Sequence, residues 1–230
     1  MEELIRLRHE LHRNPELSGQ ERATAKRLRF FLSRYRPDEL YSNIAGEGMA
    51  AVFNGNEDGP TILFRCDMDA LPIEEKNDVK YKSNVPGVSH VCGHDGHMAI
   101  VSGLAVKFSE QPIERGKIIL LYQPSEENGE GAKNSIERLK ELDLIPNYAI
   151  ALHNLPKHPF GSVIMGKYTF SAASKGLIIN LTGRNSHAAY PERGLNPSVA
   201  VAEIIQLLNG LKENVNFKDF VLIKIGRAHV

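Results

Sequence analysis

The sequence predicts an α/β protein: a mostly parallel sheet with helices on both faces, followed by the first part of a smaller α+β domain. Two observations carry this. Three near-continuous apolar runs, "PTILFRCD" (60–67), "KIILLYQ" (117–123) and "NYAIALH" (147–153), alternate with helical stretches, the pattern of strands buried on both faces. The pattern then changes after about Phe170 to alternation in "KGLIINLTGR", with Leu177, Ile179 and Leu181 on one face, as in a half-exposed antiparallel strand.

The elements follow in order. Residues 2–13 place Leu4, Ile5, Leu7 and Leu11 at helical spacing. Ser18 and Glu21 form a capping box that opens a second helix running to about Tyr35. "GMAAVFNG" (48–55) and the 60–67 run are short and bounded by Gly, Asn and Pro, as strands are. A polar loop spans Leu71 to Val91. A helix runs from about Gly96 to Ser109, with Val101, Leu104, Ala105 and Phe108 on one face. The strand at 117–123, a helix at 129–144 and the strand at 147–153 complete the first domain, taken as 1–172. In the second, 173–230, Asn196 caps a helix with Pro197 at its first position, and 219–225 reads as a strand.

Lys plus Arg and Asp plus Glu each total 28, so the net charge is zero. That speaks against a nucleic-acid partner or an anionic membrane surface. No apolar run is long enough for a membrane span, and the charged N-terminus is unlike a secretory signal. With two cysteines, Cys66 and Cys92, the expectation is a reducing cytoplasm and no disulfide.

The chemistry gathers where strands end. Cys66, Asp67 and Asp69 follow the first buried run, Glu126 and Glu127 the second, and His153 the third. "HVCGHDGH" adds Cys92 and His94 where a helix enters. In an open parallel sheet ligands bind outside the carboxyl ends of the strands. A thiolate, two imidazoles and a carboxylate are what a borderline-soft ion such as zinc accepts. Of two adjacent glutamates, one can bind metal while the other takes a proton from water. His9 and His12 stand one helical turn apart with no accompanying carboxylate cluster and read as structural. By spacing alone His187 reads as a loop histidine. A metal-free cysteine hydrolase, with Cys92 as nucleophile and His94 or His153 as base, uses part of the same set. So does a non-catalytic metal-binding or dimerisation module.

"LHRNPELSGQE", "RCDMDALPIEE", "HVCGHDGHMA", "QPSEENGEGA", "ALHNLP" and "GRNSHAAYPERGLNP" together resemble the metal-dependent amidohydrolases that include hippurate hydrolase, N-acetyl-diaminopimelate deacetylase and indole-acetyl-amino-acid hydrolase. The resemblance implies hydrolysis of the amide bond of small N-acyl amino acids at two divalent ions, zinc or manganese. It implies Cys92, His94, Glu127 and His153 as metal ligands, Glu126 as general base, and Asp67 and Asp69 as supporting residues. It further implies a ferredoxin-like smaller domain that makes a homodimer and sends His187 to the oxyanion of the partner's site. Family chains are longer, and their last metal ligand, a histidine, lies beyond the inserted domain; His229 is not at its place. The tail "IGRAHV", 225–230, reads as a translated sequencing adapter on a truncated gene, so a product of this length is expected to have little activity.

Overall fold

The computed structural model describes residues 1–167, 176–211, 221–223 and 225. The chain divides into two compact units, Met1–His158 and Pro159–Val230. The boundary expected at 172/173 falls outside the described residues.

In the first unit helices α1 (Glu2–Arg13) and α2 (Arg22–Ser33) precede strands β1 (Glu39–Ile44), β2 (Gly48–Asn54) and β3 (Glu57–Asp67). Helix α3 (His94–Glu110), strand β4 (Arg115–Gln123), helix α4 (Gly131–Glu141) and strand β5 (Tyr148–Ala151) follow. The strand order is β1-β2-β4-β3-β5. β3 runs parallel to β4 and to β5, whereas β2 runs antiparallel to β1 and to β4. The sheet is therefore mixed, which corrects the expectation of a mostly parallel one. The run "MAAVF" is buried on both sides, and an all-apolar strand looks the same in either direction. β1 was not legible because it is a polar edge strand. Its pairing is interrupted between Ser42 and Ile44, where Asn43 has φ +60°.

Alternate residues of the central strands feed two cores. Met49, Ala51, Phe53, Leu120 and Tyr122 pack with Leu7, Leu11, Leu28, Met98 and Val101 from α1, α2 and α3. Ala50, Val52, Ile119 and Leu121 pack on the other face with Leu139 and Leu144, in and after α4. Each of the fully buried leucine or isoleucine side chains contributes about 1.5–3 kcal/mol of burial free energy. This three-layer arrangement holds the carboxyl ends of β3, β4 and β5 at one edge, since Asp67 pairs with Gln123 and Arg65 with Ala151.

The start of α2 differs from the expected capping box. Ser18 Oγ donates instead to Asp69 Oδ2 at 2.7 Å, and Glu21 Oε1 accepts the Ser125 N–H at 2.8 Å. The free N–H groups of Ala23 and Thr24 are taken by the carboxylate of Glu16. Both capping residues are thus diverted to hold the loops that end β3 and β4.

In the second unit α5 (Ser198–Gly210) follows a short 3-10 turn at Pro191–Arg193. Asn196 Oδ1 accepts the Ser198 N–H at 2.9 Å, but α5 begins at Ser198 with Pro197 in the cap place, one residue later than expected. Residues 176–183 form no ladder, contrary to the strand expected there, and Arg184 makes an isolated bridge to Leu195. A strand needs a partner, and its candidate at 219–225 is described at 221–223 and 225, none of which is in a strand. Among the described residues no helix is long and apolar enough to cross a membrane.

Candidate metal centre

Cys92 and His94 flank Gly93, which stands at φ +100° as the residue before α3. This left-handed step turns the chain sharply, so that a sulfur and an imidazole two residues apart face the same edge of the sheet. A Cβ on Gly93 would lie 2.6 Å from Asn154 Oδ1, so the position has no room for a side chain as well as an unfavourable φ.

Cys92 Sγ lies 3.4 Å from His153 Nε2. Tetrahedral bonds of about 2.3 Å to sulfur and 2.0–2.1 Å to nitrogen would hold two such donors roughly 3.5 Å apart. Both histidines are held in the same tautomer. His94 Nδ1 donates to the Asp69 carbonyl at 2.8 Å and His153 Nδ1 to the Asn154 carbonyl at 2.9 Å. Each ring therefore keeps Nε2 for the site, the arrangement in which imidazoles ligate metals. His94 Nε2 and Glu127 Oε1 are both buried without a hydrogen bond, and they face each other 3.9 Å apart. Orphaned buried atoms of this kind require an explanation, and a cation between them supplies one. The donor atoms of Cys92, His94 and His153 lie within 4.8 Å of one another, and so do those of Asp67, His94 and Glu126. His94 belongs to both groups.

The electrostatics point the same way. Burial works against a charged His94, yet Asp69, Cys92 and Asp67 around the ring outweigh it and raise its pKa to about 11. The site thus favours positive charge at Nε2. Burial pushes the Asp67 carboxyl up to about 6, with Arg65 pairing against it. Asp69 is fully buried but held down at about 2, because His94, the Ser18 hydroxyl and the N–H groups of Glu127 and Glu126 stabilise its anion. Burial raises Glu127. A thiolate, imidazoles and carboxylates so arranged fit a borderline divalent ion.

Five of the six expected site residues, Cys92, His94, Glu126, Glu127 and His153, gather at this edge. The sixth, His187, belongs to the second unit, where it is exposed and its Nδ1 accepts the Ala189 N–H at 3.2 Å. Three features were missed. His97 is buried with Nε2 against Asn154 Oδ1 at 2.6 Å, and burial lowers its pKa to about 4. His90 is buried with both ring nitrogens unbonded, and burial likewise lowers it to about 4. His12, expected to lack carboxylate company, has Asp95 Oδ2 at 2.8 Å and Glu75 Oε1 at 3.0 Å. The available signal was the stripe Leu4, Leu7, Arg8, Leu11 and His12 at i, i+3, i+4, i+7 and i+8, which places two polar residues on the buried face of α1.

The model of peptidase family M20/M25/M40 matches residues 63–220. The chain is 36% identical to an N-acetyl-L-cysteine deacetylase of Bacillus subtilis over 99% of its own length and 54% of the relative's. It is 31% identical to an N-acetyldiaminopimelate deacetylase of Priestia megaterium over 98% of its length and 60% of the relative's. A crystal structure of a Bacillus subtilis dinuclear metal binding peptidase from the M20 family superposes with a TM-score of 0.64 at 36% identity, covering 69% of this chain and 44% of that one. The chain thus spans little more than half the length of the curated relatives it matches.

Proposed function

The chain belongs to peptidase family M20/M25/M40, and from that premise we propose that the whole protein hydrolyses the amide bond of N-acyl amino acids to a carboxylate and a free amino acid, using two divalent ions. The observation that carries this reading is the meeting of Cys92, His94, His153 and Glu127 at one sheet edge, with sulfur and nitrogen 3.4 Å apart. These four residues are the proposed ligands. Zinc suits the thiolate and imidazoles, and manganese the carboxylates. When bound, divalent ions supply Lewis-acid polarisation of the amide carbonyl and a water that ionises near neutral pH.

Glu126, grouped with Asp67 and His94, takes a proton from the attacking water as its oxygen bonds to the carbonyl carbon. As the carbon–nitrogen bond breaks, Glu126 returns that proton to the leaving nitrogen. Asp69 fixes His94 through its carbonyl and holds the Glu127 backbone through its carboxylate. His187, brought by a partner copy, donates a hydrogen bond to the developing oxyanion. The exposed Val199, Val201 and Leu207 of α5 support a ferredoxin-like second unit that pairs with such a copy. Free Cys66 and Cys92 suit a reducing cytoplasm.

Glu126→Gln in the longer protein tests this reading. It is expected to retain metal and lose turnover of an acyl-amino-acid panel, and turnover at the unsubstituted rate would contradict it. The Cys92–His153 pair also has the look of a thiol nucleophile with its base. A chelator distinguishes the two, because it stops the metal enzyme and leaves a thiol enzyme working.

A further inference from the structure

The turn that carries Cys92 and His94 is anchored from behind by four side chains outside the donor set. Asp95, the residue after His94, is fully buried in the first turn of α3. Its Oδ2 accepts from Arg8 Nε at 3.1 Å and from His12 Nδ1 at 2.8 Å, both on α1. On its other side His12 Nε2 meets Glu75 Oε1 at 3.0 Å, and Glu75 Oε2 accepts the Ser83 N–H at 2.8 Å. Both nitrogens of His12 face ionised carboxylates, so both carry hydrogen and the ring is an imidazolium. Arg8 and His12 balance Asp95 and Glu75, and this quartet ties α1 at once to the start of α3 and to the 71–91 loop.

From this geometry we propose that His12 is a positioning residue of the metal centre: its bridge between Asp95 and Glu75 fixes the 90–94 turn that presents Cys92 and His94. The proposal rests on the metal reading above. Three further observations support it. The loop closes over α1 a second time, since Tyr81 stacks on His9 with ring centroids 4.0 Å apart and meets His12 edge-on at 5.2 Å. The turn itself is short and hydrogen-bonded, with the Gly93 N–H on the His90 carbonyl and the His97 N–H on the Gly93 carbonyl. Shifting Asp95 therefore shifts both donors. Finally, a cavity of about 280 Å³ borders Arg8, His12, Glu75, Tyr81, Asp95 and Asn154, so the quartet is not packed on every side and its charge pairing adds to its hold on the turn.

Loss of His12 leaves Asp95 with Arg8 alone and the buried Glu75 without its charged partner, and the start of α3 is no longer tied to the loop. The test is Co²⁺ titration of this chain, reading affinity and the thiolate-to-cobalt charge-transfer band that reports Cys92. His12→Leu is expected to weaken affinity about tenfold or more and to diminish that band at saturating cobalt. Glu75→Ala, which cuts the bridge at its far end, is expected to weaken affinity about threefold or more. It decides the matter should His12→Leu not fold. Leu28→Ala, in the core on α2, is expected to lower the melting temperature and leave affinity and band unchanged. Unsubstituted affinity and band in both network variants, or the same loss in Leu28→Ala, would overturn the proposal. Failure of the unsubstituted chain to bind cobalt would instead sink the metal reading, and this inference with it.

Discussion

Replacing Gly93 by alanine perturbs the site without touching a donor atom. Gly93 sits at φ +100°, ψ 12°, where an L-residue costs about 1–2 kcal/mol. The added Cβ would lie 2.6 Å from Asn154 Oδ1, which is itself 2.6 Å from the buried His97 Nε2. Asn154 has to move, and the loss of its hydrogen bond to His97 adds about 1 kcal/mol. The sum, about 2–3 kcal/mol, corresponds to a melting-temperature fall of roughly 4–12 °C for a chain of this size. Because Asn154 follows His153, the same displacement separates Nε2 from the Cys92 sulfur, so metal affinity is expected to fall as well. Thermal melts with and without zinc, paired with a competition titration, measure both. An alanine variant that melts like the unsubstituted chain and binds zinc equally would refute the reasoning about this turn.

Further outcomes are expected. Cys92→Ser, which exchanges a soft donor for a poor one, is expected to lower zinc retention through dialysis about tenfold or more, read by elemental analysis. The proton linkage of His12 is testable through melts of the unsubstituted chain and His12→Gln between pH 6 and pH 9. The Asp95 hydrogen bond, helped by Glu75 and opposed by burial, raises the His12 pKa above 6.5. A raised pKa stabilises the fold fully below the unfolded value, and that contribution disappears as pH rises through the folded one. Three of the facing groups do not titrate in this range: Asp95 and Glu75 are lowered carboxylates, and burial keeps His90 neutral at about 4. The stability difference between the two proteins is thus expected to shrink as pH rises, and a constant or growing difference would contradict the assignment. Asp69→Asn, which sets an amide among the Ser18 and Glu127 donors, is expected to lower the melting temperature and weaken zinc binding together.

That Glu126, Glu127 and His153 meet at one edge could be read from the sequence because each follows an apolar run and strands of one sheet end together, whereas Cys92 and His94 arrive from the turn before α3. Strand direction could not, because the buried β2 run "MAAVF" is equally apolar in a parallel or an antiparallel pairing. β1 hid for the opposite reason: an edge strand carrying Ser42 and Asn43 has no apolar run to find. Ser18 and Glu21 matched a capping box, but a local motif cannot see that Asp69 and Ser125 will arrive from far along the chain and take both side chains. The His12 network divides along the same line. Arg8 and His12 were visible as polar residues on a buried helical stripe, whereas Glu75 lies in a polar loop whose path only tertiary structure sets. Of the strand expected at 219–225, residues 221–223 and 225 are described and form none.

The account depends on sulfur and nitrogen donors from distant segments sharing one ion. X-ray absorption at the zinc edge of the metal-loaded chain measures this directly. The account predicts a sulfur scatterer at about 2.3 Å beside nitrogen or oxygen scatterers at about 2.0–2.2 Å, with the sulfur lost in Cys92→Ser. A shell of light atoms alone in the unsubstituted chain, or no retained zinc, would contradict it.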